Sequence, residues 1–202
     1  MFTGIVREVA IVSSINTKEN SSSFVLNADE EFLKDIKDGD SISVNGACMT
    51  VESKTENSFN FTAVFESLNK TNLGLLKVND PVNLERSMTL SATVDGHLVS
   101  GHVDCTGKVS EISKSDEGWE LYVRFPAEFS KNVIYKGSIC INGISLTVAE
   151  ITDEGEDHTE VKIAVIPHTL ENTNLKDIKE KDIVNLEFDI IGKYINRMLP
   201  VK

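Results

Sequence analysis

The chain has 202 residues, 40% hydrophobic and 26% charged, a balance that argues for a soluble globular protein and against disorder. With 32 Asp and Glu against 20 Lys and Arg the formal charge is −12, which repels phosphate backbones and argues against nucleic-acid binding. No apolar run approaches the ~18 residues of a membrane span, the opening MFTGIVREVAIV lacks a signal peptide's basic leader, and Cys48, Cys105 and Cys140 make no disulfide framework, so a cytoplasmic protein is expected.

In chain order, MFTGIV leads into a first strand, and Asp29–Ile36 reads as one short helix. Ile42 and Val44, then Thr50 and Val51, flank Asn45-Gly46, a strong hairpin signal. Ser58–Val64 alternates polar and apolar residues, as a half-buried strand does, and Ser67–Leu73 reads as a turn or helical hook. Further on, Ile139, Ile141, Asn142-Gly143, Leu146, Thr147 and Val148 repeat the hairpin, and Val161–Val165 repeats the alternation. In the last stretch, Ile191, Tyr194, Ile195 and Met198 recur at spacings of three and four, the apolar face of a short helix. Such a helix is either a lid on its own domain or an oligomer contact, with the second slightly favoured.

These recurrences form an internal duplication. Residues 41–51 (SISVNGACMTV) and 138–148 (SICINGISLTV) agree at six of eleven positions, 97 residues apart. LNKTNL at 68–73 answers LENTNL at 170–175, and VNLE at 82–85 answers VNLE at 184–187, now 102 residues apart. The second half therefore carries an insertion, and the acidic run Asp153–Asp157 is its expected host, as a solvated hairpin loop. An all-β half of about 95 residues suits a small closed barrel, since closure removes exposed strand edges. Between the copies Cys48 answers Ser145, Thr50 answers Thr147, Glu66 answers His168 and Ser67 answers Thr169; MFTGIV set against GHVDCT places Phe2 opposite His102. Exchange of one polar type for another points to two non-equivalent ligand pockets, although Cys48 equally suits a small buried hydrophobe.

Gly96–Asp104, at the join of the halves, holds two of the four histidines. His97, His102, Asp104 and Cys105 are all capable metal ligands, but their spacing fits no zinc pattern and no metal is expected. One histidine capping a turn is the plain alternative; a histidine that bonds a ligand or shuttles a proton beside glycines is the functional one. The sequence has no phosphate-binding loop, nucleophile elbow or HExxH helix, which disfavours nucleotide hydrolysis, serine-hydrolase and zinc-protease chemistry.

MFTGIV, SVNGACMTV, NLERS, GHLVSGHVD, YKGSICINGISLTV and VNLEFD, taken in order across the chain, resemble the riboflavin synthase alpha-chain family. The resemblance implies an all-β fold of two tandem Greek-key β-barrels, residues 1–96 and 97–189, plus a C-terminal α-helix within 190–202 that holds a homotrimer. It implies dismutation of two 6,7-dimethyl-8-ribityllumazine molecules to riboflavin and 5-amino-6-(D-ribitylamino)uracil, with no cofactor or metal. Each reaction site would lie between the first barrel of one chain and the second barrel of a neighbour; a complex with lumazine synthase stays open. One pocket would comprise Gly4, Ile5, Val6, Ser41, Cys48, Met49 and Thr50, with Thr62, Ala63, Val64, Phe65, Glu66 and Ser67 facing them. The other would comprise Gly101, His102, Val103, Ser145, Leu146 and Thr147, with Ala164, Val165, Ile166, Pro167, His168 and Thr169, and Lys136 would reach a partner's site. His102 is the expected proton-transfer group, Ser145 and Thr147 would orient the nucleophile, and Cys48 would be their counterpart in the other pocket. Val94-Asp95-Gly96-His97 departs from the paired glycine usual before that histidine. The alternative within the same resemblance is an antenna protein that holds a lumazine without converting it.

Overall fold

The computed structural model describes residues 1–198. The first half contains β1 (Glu8–Lys18), β2 (Ser21–Asn27), α1 (Glu30–Leu33), β3 (Ser41–Val44), β4 (Ala47–Thr50), β5 (Ser53–Lys54), β6 (Ser58–Val64), α2 (Phe65–Lys70) and β7 (Pro81–Arg86). The second contains β8 (Cys105–Ser115), β9 (Gly118–Pro126), β10 (Ser138–Ile141), β11 (Ile144–Glu154), β12 (His158–Val165), α3 (Pro167–Glu171) and β13 (Ile183–Phe188), and α4 (Ile190–Met198) follows. The end of the anticipated terminal segment, 199–202, lies outside the described residues.

Strands β10-β11-β12-β9-β8-β13 close into a barrel. The hairpin β8–β9 is joined by β12 on one side and β13 on the other, and β13 also pairs with β10, which is Greek-key connectivity. In the first half the order β4-β3-β7-β1-β2-β6-β5 describes the same cycle, because β4 and β5 are pieces of one strand interrupted at Val51 and Glu52. The expected insertion lies where β11 overruns its counterpart: Gly155 N–H bonds the His158 carbonyl at the tip of the β11–β12 hairpin.

Each barrel has its own apolar core, as the period-2 pattern of its strands requires. Phe24 stacks on Phe61 in the first, with ring centroids 5.1 Å apart, and Phe125 meets Phe188 at 5.3 Å in the second. Asn45 and Gly46 take φ of 46° and 82°, and Asn142 and Gly143 take 47° and 79°, the left-handed pairs that a two-residue hairpin needs. The two hairpin tips pack against each other so closely that a Cβ on Gly46 would lie 2.8 Å from the Gly143 nitrogen.

Around that contact the barrels are joined by a pseudo-symmetric set of buried asparagines. Asn83 Nδ2 donates to the Asn142 carbonyl (2.9 Å) and to Asn174 Oδ1 (2.8 Å). In the mirrored set, Asn185 Nδ2 donates to the Asn45 carbonyl (2.8 Å) and to Asn72 Oδ1 (2.9 Å). Asn72 and Asn174 sit on the hooks after α2 and α3, so each barrel's hook reaches into the other. An unsatisfied buried amide costs roughly 1–3 kcal/mol, so this mutually satisfied set specifies one relative placement of the barrels. The repeated motifs VNG, TNL and VNLE are therefore the parts that build the joint.

Helix α4 is pinned at its polar face: Lys193 Nζ bonds both Asp104 carboxylate oxygens at 2.9 Å, and Asn196 Nδ2 donates to the Lys131 carbonyl at 2.7 Å. Its apolar face points to solvent, with Ile191, Tyr194, Ile195 and Met198 all more than half exposed. A lid would bury that stripe on its own domain, and it does not. No helix among the described residues is long and apolar enough to cross a membrane.

Candidate functional site

A two-residue turn makes its flanking pair, Val44 and Ala47, hydrogen-bonded, so by alternation Cys48 and Thr50 send their N–H and C=O groups away from β3. On that side the ladder to β6 stops at Ser53↔Asn60, leaving Thr62–Val64 to run past β4 without pairing. The result is a slot between β4 and the end of β6. The second barrel repeats it: the β11–β12 ladder ends at Val148↔Ile163, so Ser145–Thr147 and the segment from Ala164 to Ile166 flank a matching slot.

Strand alternation sorts the sequence candidates. Cys48, Thr50, Thr62 and Val64 face outward along the first slot, and Ser145, Thr147, Ala164 and Ile166 along the second. Met49, Ala63, Leu146 and Val165 are turned into the cores and offer the slots backbone only. Ser41, opposite Thr50 on β3, is half-buried. Phe65, Glu66 and Ser67 on α2 and Pro167, His168 and Thr169 on α3 close the far ends; Glu66 is held by Lys70 at 2.9 Å, which lowers its pKa, and His168 lies 3.3 Å from Asn172 Nδ2. Lys136 is exposed, its Nζ 4.7 Å from the Tyr135 ring centroid.

The structure corrects the expected grouping of two segments. Gly101 carbonyl accepts the Cys48 N–H (2.8 Å), and Gly4 carbonyl accepts the Ser145 N–H (2.7 Å). Gly101, His102 and Val103 therefore belong with Cys48, Met49 and Thr50, and Gly4, Ile5 and Val6 with Ser145, Leu146 and Thr147. Packing agrees, since Val103 lies on the first core and Val6 on the second. The pairing of Phe2 with His102 is corrected too. Phe2 forms a two-way bridge with Val99, and Gly4 and Gly101 occupy equivalent places, so the 97-residue offset holds and His102 answers Ile5. The shared glycine is the anchor, and it sets MFTGIV against LVSGHV at 98–103 rather than against GHVDCT.

His97, one of the two histidines at the join of the halves, contacts the second slot directly: its Nδ1 lies 2.7 Å from Ser145 Oγ. The ring is 8% exposed, and Nε2 is buried with no partner. A buried N–H without an acceptor is the costlier orphan, so we assign the proton to Nδ1, donating to Ser145 Oγ and leaving the serine hydroxyl to donate to a ligand. Burial lowers the His97 pKa, against a smaller opposing pull from Asp189. The unfolded chain thus takes up this proton near pH 6.5 while the folded one resists until lower pH, so stability falls as pH drops below that value. The slope from this group is at most ~1.4 kcal/mol per pH unit. Urea denaturation of wild type and His97→Gln between about pH 5 and 7 checks it: the variant's stability should fall less steeply with acid, and parallel curves contradict the assignment.

His102 is exposed at the mouth of the first slot, its backbone N–H on Ser100 Oγ at 3.2 Å. Burial pushes the Cys105 thiol up to about 12 and the Cys140 thiol well above its ordinary value, whereas Cys48 is half-buried on its slot. Two clefts of about 530 Å³ lie elsewhere, one lined by Asn45, Asn72, Asn142 and Asn174, the other by Phe24, Leu68, Leu73 and Thr106. Neither cleft is lined by Cys48, Thr50, Ser145 or Thr147.

The lumazine binding domain family matches twice, over residues 3–87 and 100–189. The riboflavin synthase of Actinobacillus pleuropneumoniae is 42% identical over 199 residues, covering 98% of this chain and 90% of that one. That of Photobacterium phosphoreum is 38% identical, covering 100% of this chain and 90% of its own. Among solved structures, LumP complexed with 6,7-dimethyl-8-(1'-D-ribityl) lumazine superposes with a TM-score of 0.82 at 24% identity, covering 93% of this chain and 98% of that one. LumP complexed with riboflavin gives 0.83 at 23%, over 93% and 99%. These last likenesses establish the fold.

Proposed function

The chain belongs to the riboflavin synthase family of paired lumazine binding domains, and from that premise we propose that it converts two 6,7-dimethyl-8-ribityllumazine molecules into riboflavin and 5-amino-6-(D-ribitylamino)uracil. The observation that carries the reading is the pair of slots alike in backbone but unequal in side chains, Cys48 in one and Ser145 bonded to His97 in the other. A reaction that consumes two copies of one molecule in opposite roles needs such a pair. Holding both lumazines in register turns a bimolecular encounter into an effectively intramolecular step, which can supply much of the rate.

In this reading the Thr50 and Thr147 strands present backbone and hydroxyl groups to the planar ring, as mainly apolar sites do when they fix orientation. His102 moves the proton of the carbon-7 methyl group, and Ser145 and Thr147 orient the nucleophile at carbon 7 of the donor. Cys48 is the positional counterpart in the first slot. Each open slot is completed by the opposite barrel of a neighbour in a homotrimer formed through α4, with Lys136 reaching across. The setting is cytoplasmic.

A second reading, a lumazine-holding antenna protein, draws on the likeness to LumP. The 42% identity to a synthase, against 24% to LumP, favours the enzyme. Incubation of the purified chain with the lumazine alone separates them: riboflavin should accumulate, whereas a fluorescence change without riboflavin would favour the antenna.

A further inference from the structure

Two buried glutamates stand behind the slots, each in the barrel opposite to the slot it serves. Glu187 lies on β13 of the second barrel and is 2% exposed. Its Oε1 accepts Ser100 N–H and Ser100 Oγ–H, both at 2.6 Å, and its Oε2 accepts Gly101 N–H at 2.9 Å. Gly101, at φ +82°, then turns its carbonyl onto the Cys48 N–H of the first barrel. A Cβ there would sit 2.7 Å from Cys48 Cβ, so the peptide is pressed directly against the slot strand.

The other half repeats the device. Glu85 lies on β7 of the first barrel and is 5% exposed. Its Oε1 accepts Thr3 N–H and Oγ–H at 2.7 Å, and its Oε2 accepts Gly4 N–H at 2.9 Å. Gly4, at φ +75°, presents its carbonyl to the Ser145 N–H of the second barrel. Three charge-assisted bonds to one carboxylate hold a left-handed glycine more firmly than neutral partners do.

We propose that Glu187 and Glu85 are positioning residues that act across the barrel boundary, Glu187 setting the backbone of the first slot and Glu85 that of the second. That the slots bind lumazine rests on the function proposed above; the coupling itself does not. Gln keeps the size, but one of its two positions becomes an N–H donor facing a backbone N–H, of the glycine or of the residue before it, so the segment loses one of the two backbone bonds that hold it. Because the two devices are crossed, the effect of each substitution should appear in the barrel that does not contain it.

Cys48 supplies the readout, since the thiols of Cys105 and Cys140 are held protonated by burial. Full-length wild type, Glu187→Gln and Glu85→Gln are treated with iodoacetamide under native conditions, without substrate, and alkylation is followed at each cysteine by peptide mass spectrometry. Glu187→Gln should change the Cys48 rate at least about threefold, and Glu85→Gln should leave it within about 1.5-fold. In a Ser145→Cys background, which places the same probe in the second slot, the pattern at that position should reverse. Ser100→Ala removes one of the three bonds to the carboxylate, and with it the 3.2 Å acceptor of the His102 N–H, while keeping both backbone bonds to Glu187; it should shift Cys48 in the same direction by less, which keeps the proposal testable if Glu187→Gln does not fold. Equal effects of the two glutamate substitutions, an unchanged Cys48 rate in Glu187→Gln or in Ser100→Ala, or new reactivity at Cys140 as the main change would overturn it, because each marks general loosening or no coupling. Riboflavin formation is not read here, so failure of this proposal and failure of the proposed activity are separate outcomes.

Discussion

Replacing His102 by Gln is expected to slow riboflavin formation by about 10²- to 10⁴-fold, the range that a positioned acid or base contributes, while lumazine binding stays nearly unchanged. The residue follows Gly101, whose carbonyl is fixed on Cys48, and it is exposed at the mouth of the first slot. A ring held there at its backbone but open at its side chain is placed to meet a ligand in that slot. Gln retains a polar side chain of similar reach and can keep a hydrogen bond, but it cannot carry a proton. Steady-state kinetics and fluorescence titration of the lumazine give the two quantities. Turnover equal to wild type would remove His102 from the chemistry, and equal losses in binding and turnover would make it a binding residue.

Placing charge on the terminal helix, as Ile191→Asp with Ile195→Asp, is expected to yield a folded single chain with turnover lowered at least ~10²-fold. Both side chains are more than half exposed, so neither belongs to a barrel core, and Lys193 and Asn196 would still tether the helix by its other face. The barrels should therefore melt much as in wild type. On the proposed trimer, the substitutions would remove the neighbour that closes each slot, and with it the pre-arranged second lumazine. Sedimentation velocity gives the oligomeric state and the riboflavin assay the rate. A monomer with full turnover would show that one chain brings its own two slots together.

The duplication, the Asn-Gly hairpins, the acidic insertion and the amphipathic helix were all legible in the sequence because each is a local pattern. The crossed pairing was not. It depends on bonds such as Gly4 to Glu85 and Gly4 to Ser145, between residues far apart in the chain, and a glycine carries no side chain to advertise them. One signal was available: the 97-residue offset, applied to Gly4, leads to Gly101 and would have aligned Phe2 with Val99. The asparagines of VNG, TNL and VNLE read as turn formers and repeat markers, since a buried polar joint between two domains has no periodicity of its own. His97 was visible as a residue but not as the partner of Ser145, because 48 residues separate them and only the closed barrel brings them within 2.7 Å. Alternation along β4 and β6 turns Met49 and Ala63 inward, so a motif that spans both faces of a strand names core residues along with those on the slot.

The central claim is that two slots act on two copies of one molecule, and stoichiometry tests it most directly. Purified chain is incubated with 6,7-dimethyl-8-ribityllumazine as the sole organic substrate, and lumazine, riboflavin and 5-amino-6-(D-ribitylamino)uracil are quantified by chromatography through many turnovers. The account predicts two lumazines consumed for each riboflavin and each diaminouracil formed, with no added cofactor. Lumazine that is bound tightly yet recovered unconverted, or riboflavin formed without the diaminouracil, would contradict it.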